Sequence, residues 1–297
     1  MNFYSGKKSI WWKFSSILLT VVLVLSTAGC GSSGGKSAST LEKAQKKGTA
    51  VIGFANEKPY AYQGIDGELT GEAVEVARVI LKKLGINKME GVLTEFGSLI
   101  PGLQAKRFDL VTAGMFITPE RAKDISFANP EYSIGEAIAV KKGNPEDLHS
   151  YEDVAANKSV KIAVPGGAIE YDYLTGIGVP EDQIVTVPEM PAAVSALEAG
   201  RVDVITATGP SLQNSLDSAK SPNIERVSDF EQPIVDGKSV KGYGATAFRN
   251  EDSDFVKAYN RELKKLEESG ELLDILQKFD FTEDELPNGT TLEEVLS

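Results

Sequence analysis

The spacing of apolar and polar residues repeats itself between two distant parts of the chain. The segment LQAKRFDLVTA at 103–113 returns as LEAGRVDVITA at 197–207, with six identical positions in one register. Each copy has the pattern of a helix end, a polar turn and a β-branched strand. Such a pattern can recur by chance in an α/β protein, but the shared register favours two similar lobes built from parallel αβ units.

The pattern around each copy predicts the same order of elements in both lobes: strand, turn, helix, strand, helix and strand. The helix at 72–84 illustrates this, because its apolar residues would lie on one buried face. Ser98 is predicted to cap the helix that carries the first copy, and a second beginning follows near residue 142. The other predicted elements are strands 50–54, 91–95, 108–113, 160–164 and 184–187 and helices 41–47 and 190–199.

The chain continues beyond the second copy with a predicted strand at 242–248 and helices at 251–268 and 270–278. These elements have no counterpart in the second lobe, so we expect them to return to the first. The chain would then cross twice, near 137–142 and 241–248, which restricts the lobes to a hinge motion. The predicted boundaries are 41–139 with 244–297 for the first lobe, 140–243 for the second, and 281–297 for a polar tail ending in a short helix.

The first thirty residues have the pattern of an export signal. Three lysines precede an apolar run at 17–25, which is too short to span a bilayer as a mature helix. The residues before Cys30 resemble a bacterial lipoprotein signal, although Thr27 stands where leucine is usual. We predict a signal peptide at 1–29, lipidation of Cys30 and a flexible tether at 30–40. An ordinary secretory signal is the alternative.

Charge and the scarcity of histidine and cysteine restrict the chemistry. Removal of residues 1–29 takes away three lysines and no acids, so a net charge of −12 becomes −15. This acidic balance argues against nucleic acid as a partner. His149 is the only histidine and lies in a polar stretch, while Cys30 is the only cysteine. We therefore expect no metal, no cofactor and no histidine-based catalysis.

Several motifs resemble the polar amino-acid family of extracellular solute-binding proteins, which supply ATP-driven (ABC) importers. The resemblance covers about residues 41–280 and implies an α/β, periplasmic-binding-protein-like type II fold, in which two Rossmann-like lobes enclose a ligand. The motifs are ELTGE at 68–72, the helix end at 103–109 and TPER at 118–121.

A narrower resemblance is to the branch of this family that binds ectoine and hydroxyectoine. It is carried by GFANEKPY at 53–60, LTEFGSLIPGL at 93–103 and GMFITP at 114–119. Ectoine is a compact cyclic zwitterion in which a carboxylate stands beside a charge-delocalised amidinium. The resemblance therefore implies a site with one group for each charge.

Arg121 and Glu57 are the candidates for these two charges. Both follow the carboxyl ends of predicted parallel strands, where ligands gather. The planar guanidinium of Arg121 suits a carboxylate through two charge-assisted hydrogen bonds; the alternative is a surface pair with Glu120 or Asp124. Glu57 suits the amidinium, and a surface pair with Lys58 is its alternative.

Three aromatic residues follow strand ends at the same edge: Tyr60, Phe96 and Phe116. Each ring could stack on a flat cation and contribute roughly 0.5–2 kcal/mol when desolvated. In the ectoine-binding branch these positions look like an aromatic cage, with tyrosine and phenylalanine exchanged here. Core packing is the alternative, and it is strongest for Phe96. Thr118, from the same motif as Arg121, is a further candidate.

The second lobe should supply the contacts that close on the ligand. The turn at 166–168 leads from a strand into a helix, so the N–H groups around Gly167 and Ala168 could face a carboxylate. Thr206 and Thr208, at the end of the second copy, could add a hydroxyl.

These residues predict a monomeric, lipid-anchored receptor on the extracellular face of a bacterial cell membrane. It would trap a small zwitterionic solute, ectoine or hydroxyectoine, and pass it to an ABC permease without chemical turnover. A receptor for a polar or cationic amino acid is the first alternative, although 206–209 lacks the aspartate expected for an α-ammonium group. The second is a periplasmic dehydratase-like enzyme with Glu57 as general acid.

Overall fold

The structure, a computed structural model, describes residues 38–235 and 238–297. The predicted signal peptide, the lipidation of Cys30 and most of the predicted tether lie outside the described residues. Residues 38–297 belong to one compact unit. Within the described ranges, no helix combines the length and the apolar character that crossing a bilayer requires.

Strands and helices alternate along most of this unit. In chain order the strands are β1 (Thr49–Phe54), β2 (Tyr62–Gln63), β3 (Leu69–Thr70), β4 (Lys88–Leu93), β5 (Leu110–Val111), β6 (Ser126–Phe127), β7 (Tyr132–Ile134), β8 (Glu136–Lys141), β9 (Ile162–Pro165), β10 (Ile184–Val187), β11 (Val204–Thr208), β12 (Ile224–Arg226), β13 (Ile234–Val235), β14 (Lys238–Ser239), β15 (Gly242–Gly244) and β16 (Ala247–Phe248). The α-helices are α1 (Thr40–Lys47), α2 (Glu72–Lys83), α3 (Leu99–Gln104), α4 (Arg121–Asp124), α5 (Tyr151–Ala156), α6 (Glu170–Gly176), α7 (Met190–Glu198), α8 (Gly209–Ala219), α9 (Ser253–Ser269), α10 (Glu271–Leu276) and α11 (Leu292–Leu296).

Five strands form the sheet of the first lobe, in the order β4–β1–β5–β16–β6. β1 pairs in parallel with β4 and β5, whereas β16 pairs antiparallel with β5 and β6. Every residue of β1 except Val51 is buried, as expected for a parallel strand whose sheet is covered on both faces. The predicted parallel αβ lobe is therefore confirmed.

The sheet of the second lobe has the same strand order and the same directions. Its order is β10–β9–β11–β8–β12; β9 pairs in parallel with β10 and β11, and β8 pairs antiparallel with β11 and β12. By position in the sheet, β9 corresponds to β1, β11 to β5 and β8 to β16. The prediction of two similar lobes is confirmed, and in each lobe the antiparallel strand is the one that follows an interlobe crossing.

The repeated segment makes the same backbone contacts in both lobes. Asp109 accepts a hydrogen bond from the Val51 N–H at 2.9 Å and donates its own N–H to the Val51 carbonyl at 2.8 Å. Asp203 makes the same two bonds with Lys161, also at 2.9 and 2.8 Å. The repeated aspartate therefore joins β5 to β1 in one lobe and β11 to β9 in the other.

Two short antiparallel strands carry the chain between the lobes. β7 leads into the second lobe and β15 leads back, and the two strands pair along their whole length. Because β8 lies wholly in the second sheet, the first crossing ends at Gly135, earlier than the predicted boundary after residue 139. The side-chain amide of Gln232 fixes the start of β8, since it bonds to the backbone N–H and C=O of Glu136 at 2.7 and 2.8 Å.

Three local predictions differ from the structure. The single strand predicted at 242–248 is divided into β15 in the hinge and β16 in the first sheet. Ser98 makes no capping hydrogen bond, because a 3₁₀ turn at Phe96–Ser98 runs directly into α3. α8 has no counterpart among the predicted elements; Pro210 lies in its first turn, where proline is compatible with a helix.

The C-terminal tail packs on the first lobe. Phe281 is buried in the cluster that holds α2, α9 and α10 against the sheet. α11 lays three apolar residues, Leu292, Val295 and Leu296, against a second cluster around β5. The tail is therefore part of the lobe-one core, and its first residue reaches the cleft region described next.

Candidate ligand-binding cleft

The carboxyl ends of the parallel strands of both lobes face one cleft. Seven of the nine predicted ligand-binding residues line it, the exceptions being Thr118 and Gly167. The cavity between the lobes measures about 40 Å³, a volume that holds only a few water molecules. A groove of about 690 Å³ adjoins it on the outside and shares Glu57, Phe96 and Pro165 with it. The cavity is lined by Glu57, Tyr60, Phe96, Gly114, Phe116, Arg121, Pro165, Ala168, Ile169, Glu170, Ala207 and Thr208.

Glu57 contacts the opposite lobe across the cleft. Ser211 Oγ, in the first turn of α8, donates a hydrogen bond to Glu57 Oε1 at 2.5 Å. Burial raises the pKa of Glu57 to about 7; the Ser211 bond opposes this rise and the charge of Glu170 adds to it. Lys58 lies over the ring of Tyr62 at 5.0 Å and makes no ion pair with Glu57. Glu57 is thus a carboxyl that a nearby cation would ionise at neutral pH.

Arg121 bridges the cleft through its guanidinium. Nη1 donates to the carbonyl oxygen of Phe116 at 2.8 Å, and Nη2 donates to that of Gly167 in the second lobe at 2.9 Å. Glu120, an alternative partner in the sequence analysis, pairs with Lys123 instead. Burial lowers the pKa of Arg121 from its usual value, so its charge is partly desolvated. A partly desolvated guanidinium attracts a carboxylate more strongly than an exposed one does.

The three predicted aromatic residues line the cavity in different ways. The buried Tyr60 places its hydroxyl 2.6 Å from Oγ1 of Thr208 in the opposite lobe. Phe96 is partly buried, and its ring centroid lies 5.6 Å from Cζ of Arg121, a cation–π distance. Phe116 is packed into the lobe-one core and presents only part of its ring. The core alternative therefore fits Phe116 better than Phe96.

Tyr60 is supported from behind by residues that the sequence analysis did not identify. Tyr132 stacks on Tyr60 with ring centroids 5.3 Å apart, and Phe281 meets both rings edge-on at 6.1 and 5.4 Å. Gly114 has a φ of +66°, and a β-carbon there would lie 2.4 Å from Tyr60 Cγ. The tyrosine thus occupies space that only glycine leaves free.

The turn at 166–168 closes on the first lobe, but not in the predicted way. The N–H groups of Gly166 and Ala168 donate to carbonyls within the second lobe, so these two amides do not face the cavity as anion-binding groups. Gly167 offers its carbonyl to Arg121 instead. A β-carbon on Gly167 would lie 2.7 Å from the Cα of Gly97, so the lobes meet here backbone to backbone.

Two predicted threonines act inside their own lobes. Thr118 Oγ1 accepts the backbone N–H of Arg121 at 3.1 Å and so fixes the start of α4. Thr206 Oγ1 donates to the carbonyl of Ala137 at 3.0 Å and lies 2.5 Å from the Tyr151 hydroxyl. Their hydroxyls therefore position backbone and core groups of the site rather than lining it.

The sequence analysis did not identify two buried glutamates of the second lobe as candidate site residues. Glu170 lines the cavity from the first turn of α6, and Glu136 lies beside it at the start of β8; their exposed fractions are 4% and 3%. Burial raises the pKa of both carboxyls, and their proximity to each other raises that of Glu136 further. The position of Glu170 two residues after the 166–168 turn was the one signal available in the sequence. Arg121 is the only basic residue in the described lining of the cavity.

Comparison with known proteins places the chain among transport proteins. Residues 50–283 match the bacterial extracellular solute-binding proteins of family 3. A probable amino-acid ABC transporter periplasmic-binding protein of Sinorhizobium fredii, y4tE, is 36% identical over 286 residues, which cover 95% of this chain and 92% of the relative. The arginine-binding extracellular protein ArtP of Bacillus subtilis is 28% identical over 270 residues, with 90% and 97% covered.

A solved structure with the same fold is that of EhuB in complex with hydroxyectoine. It aligns with a TM-score of 0.80 and 36% identity over 88% of this chain and 99% of the EhuB chain. Both curated relatives are named as binding proteins, the first of them of an amino-acid ABC transporter, and not as enzymes, which agrees with the predicted absence of catalysis. The chain therefore belongs to the bacterial extracellular solute-binding proteins of family 3, which capture solutes for ABC importers.

Proposed function

We propose that this protein captures ectoine or hydroxyectoine between its lobes and delivers it to a membrane permease. The observation that carries the proposal is the convergence of Arg121, Glu57 and three aromatic rings on one small cavity. Arg121 suits the ligand carboxylate, Glu57 suits the amidinium, and a flat cation fits against aromatic faces. The similarity to the hydroxyectoine complex of EhuB supports the same assignment.

Capture requires the lobes to move apart and close again. A cavity of about 40 Å³ is far smaller than the sites that hold organic ligands, so a solute enters only when the cleft opens. Three cross-cleft hydrogen bonds join the lobes: Glu57 to Ser211, Tyr60 to Thr208, and Arg121 to Gly167. A ligand that contacts both lobes favours closure because it binds the closed form more tightly than the open one.

Isothermal titration calorimetry tests this function on residues 31–297, which include the whole compact unit. The ligands are ectoine, hydroxyectoine, glycine betaine, arginine and glutamine. We expect saturable heat with the two ectoines, and a rise in Kd of at least about a hundredfold in Arg121→Ala and Glu57→Ala, since each leaves one ligand charge unpaired. Lys123→Ala, an exposed cation on the same short helix as Arg121, is the matched control and should bind normally.

A receptor for a cationic amino acid is the second candidate. Glu136 and Glu170 favour it, because they add two acidic groups to a site that one amidinium could satisfy with Glu57 alone. Saturable heat with arginine and none with the ectoines would select this candidate and rule out the first.

The attachment to the membrane is proposed on sequence grounds alone. Cys30 at the end of the apolar run would be lipidated and become the first residue of the mature protein. Expression of the full chain with a radiolabelled fatty acid should label the wild type, and Cys30→Ser should release unlabelled protein into the medium. Equal retention of both forms on the cells would contradict the anchor.

A further inference from the structure

Glu170 and Glu136 form a buried carboxyl pair on the second-lobe side of the cavity. Both side chains are buried, and neither oxygen of Glu136 has a hydrogen-bond partner among the described residues. A buried carboxylate that no hydrogen-bond donor or cation contacts pays a large desolvation cost, so such a carboxyl group retains its proton. The pair is therefore a singly or doubly protonated group beside the ligand cavity.

Only the Glu170 member of the pair faces the cavity. Glu170 stands in the first turn of α6, and this position places it in the lining of the cavity. Glu136 lies opposite Thr208 in the β8–β11 ladder and does not line the cavity. The geometry thus separates a residue that can touch a ligand from one that can only act through it.

The groups around this pair compensate its charge only in part. Glu57 lines the same cavity from the first lobe, and Arg121, the only base in the described lining, makes no ion pair with Glu170, because its two terminal nitrogens donate to backbone carbonyls. The other groups that influence the pair or Arg121 are Asp172 on α6 and the phenols of Tyr60, Tyr132, Tyr151 and Tyr173. A buried acidic pair that served only for packing would be less favourable than apolar residues of the same size.

We propose that Glu170 is a ligand-binding residue that holds the cationic group of the solute against Glu57, and that a proton held by the buried pair of Glu170 and Glu136 is released as the solute binds. The inference rests on the proposed function, since it takes the ligand to be a small zwitterion with a cationic N–H group. The O–H bond of the acid breaks, its electron pair stays on the carboxylate, and the proton passes to the buffer. Glu136 is a positioning residue, because it acts through Glu170.

This arrangement determines which cations the site accepts. The carboxylates of Glu57 and Glu170 lie on opposite sides of the cavity. They suit a cation that donates N–H groups in two directions, as an amidinium or a guanidinium does. A quaternary ammonium has no N–H and would leave both carboxylates without a hydrogen bond. Glu57 and Glu170 together therefore select against glycine betaine, even though its ammonium group is also positively charged.

The test measures proton release by calorimetry at pH 7 in two buffers of different ionisation enthalpy, with ectoine as the probe. Wild type should release protons on binding. Glu170→Gln should raise the Kd at least tenfold and reduce the number of protons released. Glu136→Gln should change the Kd less than threefold, because Glu136 does not line the cavity, yet should also release fewer protons. Glu181→Gln, an exposed glutamate of the same lobe, should match wild type in both.

The outcomes distinguish this inference from the proposed function. If ectoine binds but Glu170→Gln and Glu136→Gln release as many protons as Glu181→Gln, the inference is wrong and the proposed function stands. If arginine binds and ectoine does not, and if Glu170→Gln and Glu136→Gln release fewer protons than wild type on binding arginine, the proposed function is wrong and the role of Glu170 stands. If none of the tested cations binds, both are wrong. Melting temperatures within a few degrees of wild type show that the variants are folded.

Discussion

Tyr60 joins the two lobes through a single buried hydroxyl. Its oxygen lies 2.6 Å from Thr208 Oγ1, and the ring is fixed by Tyr132, Phe281 and the absence of a side chain at Gly114. A neutral hydrogen bond of this kind contributes about 1 kcal/mol, and an orphaned buried hydroxyl costs at least as much. The Tyr60 side chain thus favours the closed cleft over the open one by about 1 kcal/mol.

Tyr60→Phe should therefore shift the protein towards the open form. We expect a larger radius of gyration in small-angle X-ray scattering and a Kd for the ligand about five- to tenfold higher. Tyr132→Phe is the matched control, because it removes a tyrosine hydroxyl that donates to the Gly114 carbonyl within the first lobe. It should lower the melting temperature without changing the radius; an equal effect of both variants would contradict a role for Tyr60 in closure.

At the scale of elements, the repeated aspartate aligns neighbouring parallel strands in the same way in both lobes. Asp109 and Asp203 each accept the N–H that precedes the paired section of the neighbouring strand. The aspartate is identical in the two copies because both lobes need this backbone contact. The repeated aspartate therefore reports how the lobes fold and not what they bind.

Asp109→Ala and Asp203→Ala should each destabilise the protein by about 1–2 kcal/mol, since a backbone N–H loses a charged acceptor. The measurement is the midpoint of urea unfolding. Asp182→Ala, an exposed acid with the same change of charge, should leave the midpoint within error. Ligand affinity of the folded protein should be unchanged, because neither residue lines the cavity; a specific loss of binding would contradict a purely structural role.

At the scale of the whole molecule, the first lobe also contains a buried acid pair that the ligand does not reach. Glu131 Oε1 accepts from the Tyr259 hydroxyl at 2.8 Å, whereas both oxygens of Glu72 have no partner among the described residues. Burial raises the pKa of Glu131 to about 7 and that of Glu72 well above its usual value, and the charge of Glu131 adds to the rise at Glu72. The folded protein therefore retains protons that the unfolded chain releases near pH 4.5.

This difference predicts that stability falls as the pH rises. The contribution of the pair is fully present below about pH 4.5; that of Glu131 is lost as the pH rises through about 7, and that of Glu72 is lost as the pH rises through its own raised pKa, because over these ranges the folded state binds more protons than the unfolded state. Glu72→Gln should flatten the dependence and raise the melting temperature relative to wild type at pH 8, with little difference at pH 5. Glu68→Gln, on an exposed turn, should follow wild type, and a parallel curve for Glu72→Gln would contradict the assignment.

The sequence by itself determined the two lobes, the order of their elements and the strand ends at which Glu57, Tyr60, Phe96 and Arg121 stand. These features follow from local periodicity, since strands, turns and helix ends are specified by neighbours in the chain. The direction of parallel strands then brings their carboxyl ends to one edge without further information. The same local reasoning could not tell where β8 belongs, because a short buried strand fits either sheet.

Only the tertiary structure decided how the cleft is completed. Ser211, Glu136 and the supporting Phe281 come from segments that are distant in sequence, and no local pattern distinguishes them from ordinary surface or core residues. Glu170 stands at the start of a helix, where an acidic residue is common. Burial by the surrounding elements raises the pKa of its carboxyl group, and this burial cannot be predicted from neighbouring residues in the chain. The chemistry of single residues could be foreseen from the sequence, whereas their partners and their ionisation depend on contacts that exist only in the folded molecule.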